Sequence, residues 1–208
     1  MNNSLLKKVT ISLSLFVFLY FTLYQMIINN DSDRNQSVSD THIEEVDEKT
    51  FNLDLELKKT NILLKMGFET ADIYYNRGWI YAEMGNYVLA KKDYDYAIKL
   101  DNDHMDAYFN RGVIYFKEKK YIKAISDFSH IIKLNPEMTD AYCNRGNAYL
   151  QIGKSREALD DYNNAILLDS EDPALFLNRG LIYQAMGKIK DADADFKKAK
   201  ELGKESVE

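Results

Sequence analysis

The chain has 208 residues, 46% of them hydrophobic, with 27 Lys and Arg against 33 Asp and Glu and a formal net charge of −6. No basic patch stands out along it, which argues against nucleic acid as a partner, and the single cysteine, Cys143, excludes an internal disulfide and a cysteine metal cluster. The length allows one domain with appendages.

Residues 1–8 end in Lys7-Lys8 and lead into Val9 to Ile28, 20 residues without a charge. That is the length a helix needs to cross a bilayer, so 9–28 reads as a transmembrane signal-anchor. The rival reading is a cleaved signal peptide and a secreted product; Ser12, Ser14, Thr22 and Gln25 interrupt the apolar run, yet Ile27-Ile28-Asn29-Asn30 offers no small-residue cleavage site. Residues 29–50 carry seven acids against two bases. Such a stretch cannot bury enough apolar surface to order itself, so it reads as a flexible acidic linker. With the positive flank N-terminal, Met1 is expected in the cytoplasm and everything after 28 across the membrane, in a periplasm, exterior or lumen.

From residue 71 the chain is periodic. Asn-Arg-Gly recurs at Asn76-Arg77-Gly78, Asn110-Arg111-Gly112, Asn144-Arg145-Gly146 and Asn178-Arg179-Gly180, each 34 residues after the last. In units of 71–104, 105–138, 139–172 and 173–206, the fourth place is Tyr74, Tyr108, Tyr142 or Phe176, and the eleventh is Tyr81, Tyr115, Tyr149 or Tyr183. The twentieth is Ala90, Ala124, Ala158 or Ala192, and the twenty-fourth Tyr94, Phe128, Tyr162 or Phe196. Spacing within a unit follows the helical period, in two stripes separated by Gly85, Lys119, Gly153 or Gly187, so each unit is expected to be two helices. Residues 51–66 align without a gap on the second helix of the next unit, which makes 51–70 a degenerate half-repeat covering the open start. At the other end the place of Ile98, Ile132 and Ile166 becomes Lys200, and that of Ile125 and Leu159 becomes Asp193. A polar outer face is what a terminal solenoid unit requires, so the array is expected to end there.

This series of aromatic, Gly, Tyr, Ala, aromatic and Ala places resembles the tetratricopeptide repeat (TPR) family over residues 71 to 206. Ile131 at an Ala place is a departure, and the family's Pro place is filled only by Pro136. The resemblance implies an all-α, right-handed superhelical solenoid of helix-turn-helix repeats, here preceded by one transmembrane helix. It also implies that the first helix of each pair lines a concave groove for a protein or peptide. Carried over place by place, the groove would present Asp72, Asp106, Asp140 and Ala174 at the second place and Tyr75, Phe109, Cys143 and Leu177 at the fifth. The sixth would hold Asn76, Asn110, Asn144 and Asn178, and the ninth Trp79, Val113, Asn147 and Leu181. An Asn ladder can bond the amides of a bound chain or brace neighbouring helices. Tyr75, Phe109 and Trp79 would be apolar anchors, with core packing the alternative for Trp79. The Asp row favours Lys or Arg in the ligand and disfavours the carboxylate docking some members of the family perform.

Asp93, Asp127, Asp161 and Asp195 recur sixteen residues after the four Arg, so the cations are expected to be paired between helices, since an unpaired charge there would be costly. Catalysis, a cofactor and a small-molecule substrate are not expected: His42, His104 and His130 share no frame and no nucleophile grouping repeats. Asp101-Asn102-Asp103 opens like a calcium loop but has Asp106 and Gly112 where that loop needs Gly and Glu, and reads as a helix-stopping turn. The reading is a membrane-anchored scaffold or adaptor. A self-associating structural protein and an accessory subunit of an envelope enzyme or translocation complex are the alternatives.

Overall fold

The structure, a computed structural model, describes residues 48–205; the expected span 9–28 and most of the expected linker 29–50 lie outside these residues. Among the described residues there are nine helices and no strands: α1 Glu48–Lys65, α2 Ala71–Glu83, α3 Tyr87–Leu100, α4 Met105–Lys117, α5 Tyr121–Leu134, α6 Thr139–Gln151, α7 Ser155–Leu168, α8 Pro173–Ala185 and α9 Ile189–Glu205. None of them is long and apolar enough to cross a membrane. The backbone is helical from Glu48, three residues inside the stretch expected to be linker.

The pairs α2–α3, α4–α5, α6–α7 and α8–α9 pack tightly within themselves, and each second helix packs on the first helix of the next pair. Helix α1 packs on α2 as the second helix of a missing pair would. The core runs along the array as small and large side chains in alternation: Ala90, Tyr94 and Ala97, then Ala124, Phe128 and Ile131, then Ala158, Tyr162 and Ala165, all fully buried. The helices can close on those rings because the eighth place is Gly. A Cβ at Gly78 would lie 2.8 Å from the Tyr94 ring, and one at Gly180 would lie 2.7 Å from that of Phe196. Side chains do not approach so closely without displacing the ring or the helix.

The repeated Arg holds three helices at once. Arg77 donates from Nε to Asp93 Oδ2 and from Nη2 to Asp93 Oδ1, both at 2.7 Å. The same fork joins Arg111 to Asp127, Arg145 to Asp161 and Arg179 to Asp195. These are the expected pairs. The remaining nitrogen, Nη1, reaches back across the repeat boundary to the preceding second helix: Arg77 to Asn61 at 2.9 Å, Arg111 to Asp95 at 2.6 Å, Arg145 to Ser129 at 3.0 Å and Arg179 to Asn163 at 2.8 Å. Each guanidinium also lies between the rings at the fourth and eleventh places, 5.3 to 5.9 Å from their centroids, a cation–π arrangement. Burial raises the Asp127 carboxyl above its ordinary value, and the hydrogen bonds and charge of Arg111 offset only part of that rise.

Each first helix ends in the same reversal. The residue at the fifteenth place has positive φ (Gly85 76°, Lys119 60°, Gly153 76°, Gly187 75°). The next amide returns to the eleventh-place Tyr carbonyl at 2.7 to 2.9 Å, from Asn86 to Tyr81, Lys120 to Tyr115, Lys154 to Tyr149 and Lys188 to Tyr183. This Schellman geometry satisfies carbonyls the helix leaves open. Asp101 serves as the expected stop: it follows α3 in extended conformation, and its Oδ1 accepts from Asp103 N at 3.0 Å. At the far end Asp193 and Lys200 of α9 are exposed, as a solvated outer face requires.

Lys119 is the one position among these reversals where an L side chain holds the left-handed conformation, at a cost of roughly 1 kcal/mol relative to Gly. Lys119→Gly should therefore raise the stability of the array by about that amount. Urea denaturation followed by circular dichroism measures it, with Gly153→Lys expected to move the midpoint in the opposite direction.

Candidate binding face

Helices α2, α4, α6 and α8 run side by side, α2 touching α4 and α4 touching α6, so their second, fifth, sixth and ninth places form one face. Several starts are fixed by side-chain caps, from Thr70 to the Ile73 amide, from His104 Nδ1 to Ala107 N at 3.3 Å and from Asp172 to Ala174 N at 2.8 Å. Two of these caps precede Asp72 and Asp106, whereas α6, which carries Asp140, has no side-chain cap; all three Asp lie in first turns and are exposed. Asp106 and Asp140 form no ion pair among the described residues, while Asp72 Oδ1 lies 3.5 Å from His104 Nε2.

The fifth-place aromatics are half-buried. Tyr75 lies against Tyr94 and His104, with ring centroids 6.0 and 4.9 Å away, and Phe109 meets Phe128 edge-on at 5.8 Å. Cys143 is half-buried as well, and burial pushes its thiol up to about 11, which suits a packing role. Trp79, for which core and anchor were both open readings, is 44% exposed on the face. Leu177 and Leu181 in the last repeat are 47% and 50% exposed. They were not among the anchors singled out from the sequence. Their signal was available, since they continue the places of Tyr75 and Trp79.

The Asn ladder divides into two groups. Asn110 Nδ2 donates to Tyr75 Oη across the repeat boundary at 3.2 Å, Asn144 Nδ2 donates to the Asp140 carbonyl at 2.8 Å, and Asn147 Oδ1 accepts from Tyr162 Oη at 2.7 Å. Asn110 braces two repeats and Asn147 joins the two helices of one pair, while the bond of Asn144 stays within α6. Asn76 is exposed and Asn178 half-buried, and neither side chain is hydrogen-bonded among the described residues. The face is therefore apolar at its two ends, around Trp79 and around Leu177 and Leu181, and polar in its third repeat.

The bond to Asn147 reveals a pairing the sequence places fifteen residues apart. Tyr162 at the twenty-fourth place has an acceptor at the ninth, whereas Phe128 and Phe196, needing none, stand with Val113 and Leu181. Tyr94 is the exception. Its ninth place is Trp79, whose indole has no acceptor, and the buried Tyr94 Oη has no hydrogen-bond partner among the described residues.

Sequence profiles of the tetratricopeptide repeat match residues 71–104, 106–138 and 173–203, and a profile described as TPR repeat matches 146–187. A comparison with curated proteins finds no significant match. Among solved structures, one described as "Crystal structure of MamA" aligns at TM-score 0.72 and 23% identity, covering 80% of this chain and 99% of that one. A "MamA RS-1 ArsTM double mutant" aligns at 0.71 and 22%, over 74% of this chain and 86% of that one. MamA 41-end from Desulfovibrio magneticus RS-1 aligns at 0.64 and 21%, over 74% and 96%. At these identities the likeness carries the fold.

Because a buried hydroxyl without a partner costs about 1 to 3 kcal/mol, Tyr94→Phe should leave stability unchanged or raise it. Tyr162→Phe, which breaks the bond to Asn147, should lower it by about 1 kcal/mol. Paired urea melts of the two variants test the contrast, and equal losses would contradict it.

Proposed function

We propose, for a chain whose array consists of tetratricopeptide repeats, that it is a scaffold holding an extended protein segment on the face of its first helices while residues 9–28 tether it to a membrane. The observation that carries the binding reading is the set of exposed apolar side chains, Trp79, Leu177 and Leu181, flanked by Asp106 and Asp140 without ion-pair partners among the described residues. Large apolar groups exposed on a concave array lose water on binding and carry the affinity. Exposed Asp residues, each worth only about 0.2 to 1 kcal/mol in a pair, set the sign of the ligand's charge and the salt dependence. The favoured ligand is an extended segment with apolar side chains at both ends and at least one Lys or Arg. Asn76 and Asn178 are the candidates for bonding its backbone, because Asn110 and Asn147 already bond other elements of the array and Asn144 bonds a carbonyl of its own helix.

A peptide array probed with the full chain in detergent tests this. Leu177→Asp with Leu181→Asp should weaken binding at least tenfold, about 1.4 kcal/mol. Reversing Asp72, Asp106 and Asp140 to Lys should shift preference toward acidic peptides. Unchanged binding by both variants, with helicity retained, would move the partner off this face.

The tether reading rests on the sequence: Lys7-Lys8 before an uncharged run of 20 residues and seven acids within 29–50. The positive-inside bias then gives a single pass with Met1 in the cytoplasm and the array on the opposite side. Protease added to intact cells, or to spheroplasts of a bacterial envelope, should digest residues 51–208. Protection until the bilayer is broken would reverse the orientation, and a mature chain lacking residues 1–28 by mass would make the run a signal peptide.

A further inference from the structure

Each first helix runs from one long edge of the array to the other and its partner runs back, so the two kinds of turn lie on opposite edges, about 20 Å apart for 13-residue helices. The edges differ in charge. Leaving aside Asp72, Asp106 and Asp140 of the first-helix face, the junctions 67–71, 101–105, 135–139 and 169–173 hold seven Asp or Glu and no Lys or Arg. The turns 83–89, 117–123, 151–157 and 185–191 hold eight Lys or Arg against four acids, the first of them contributing only Glu83.

Within each edge one row keeps the 34-residue spacing. On the acidic edge it is Glu69, Asp103, Glu137 and Glu171, all exposed, with no side-chain hydrogen bond or ion pair among the described residues. On the basic edge it is Lys120, Lys154 and Lys188. Lys154 and Lys188 lie 5.8 and 5.5 Å from the centroids of the Tyr149 and Tyr183 rings, but the place does not require a lysine. In the first repeat the same place is Asn86, whose Oδ1 caps the Leu89 amide at 3.2 Å. Lys120 and Lys154 give their helices no side-chain cap, and all three set a cation at the positive end of a helix, where it is disfavoured. Glu118 and Glu157 balance Lys120 and Lys154 only locally, at 2.7 and 3.1 Å. Exposed aliphatic side chains accompany both rows: Val88, Ile122 and Ile189 are 73%, 68% and 54% exposed on the basic edge, and Leu167 is 82% exposed beside the acidic one.

We propose that the lysine edge of one copy docks on the acidic edge of a second copy of this chain. Both rows repeat at the spacing of one helix pair, so one salt contact in register brings the others into register as well. No other partner is guaranteed that spacing. The contact is heterologous, leaving a free edge on each side, and so builds open-ended lateral stacks rather than closed dimers. It leaves the first-helix face uncovered.

The test is sedimentation of the full chain in a non-ionic detergent at about 0.05 M and about 0.5 M salt, a range over which screening between exposed charges changes severalfold. The wild type should associate with rising concentration at low salt, form species larger than dimers, and dissociate at high salt. Lys120→Asp, Lys154→Asp and Lys188→Asp together should weaken association at least tenfold while raising the melting temperature, because Asp caps these helices. Folding failure is therefore not a confounding outcome. Asp103→Lys, Glu137→Lys and Glu171→Lys should weaken it likewise, and an equimolar mixture of the two variants should associate again. A wild type that stays monomeric at low salt, a lysine variant that associates undiminished, or a mixture that does not recover would each overturn the proposal. So would association that appears only on adding anionic-lipid nanodiscs, which would assign the lysines to a bilayer.

Discussion

The guanidinium at the seventh place of each repeat is the contact on which the rest of the array depends. Its planar fork takes both oxygens of one Asp, which fixes the two helices of a pair in height and rotation, and its third direction is spent on the helix before. Geometry of this kind belongs to Arg, because an ammonium has neither the plane nor the second parallel donor. With the flanking rings covering its faces, the cation is held on every side, so the cost of burying it is met by bonds rather than by water. The first Arg needs an acceptor as much as the others do, and Asn61 of α1 supplies it. The half-repeat is thus more than a lid over apolar surface. In the last helix the equivalent of Asn61 is Lys197, which offers a following guanidinium no acceptor and a like charge.

Periodicity made most of this architecture legible. Places that recur every 34 residues identified helix pairs, their turns, the half-repeat, the polar last helix and the Arg–Asp pairing, because an equivalence between repeats is a statement about backbone position. Side-chain direction is a different quantity. Asn110, Asn144 and Asn147 each have donors and acceptors within reach of several groups, and the competition among a Tyr hydroxyl, a carbonyl and a solvent-facing direction is decided by local geometry that the period does not encode. The third bond of each Arg was in principle available, since Asn61, Asp95, Ser129 and Asn163 also stand sixteen residues away, upstream instead of downstream. Their differing chemistry hid them as a row.

The placement of charge was hidden for a related reason. Summed along segments, acids and bases in the array nearly cancel. Folding then sorts the two kinds of turn onto opposite edges, so that residues far apart in sequence become neighbours and those a dozen apart become strangers. An array whose summed charge is small can in this way carry fields of opposite sign along its two rims.

The bond that crosses each boundary also separates the unit of inheritance from the unit of stability. Sequence repeats from residue 71 to 104, but the smallest set of helices that satisfies one guanidinium begins with the second helix of the preceding pair, so α1, α2 and α3 form such a set, as do α3, α4 and α5. Neighbouring sets share a helix, which makes the array cooperative across every junction instead of a string of independent hairpins. Its length can change only in whole periods. Loss of residues 105–138 would put Arg145 beside Asp95 in place of Ser129, one acceptor for another, whereas an internal deletion that is not a whole number of periods would strand a buried cation.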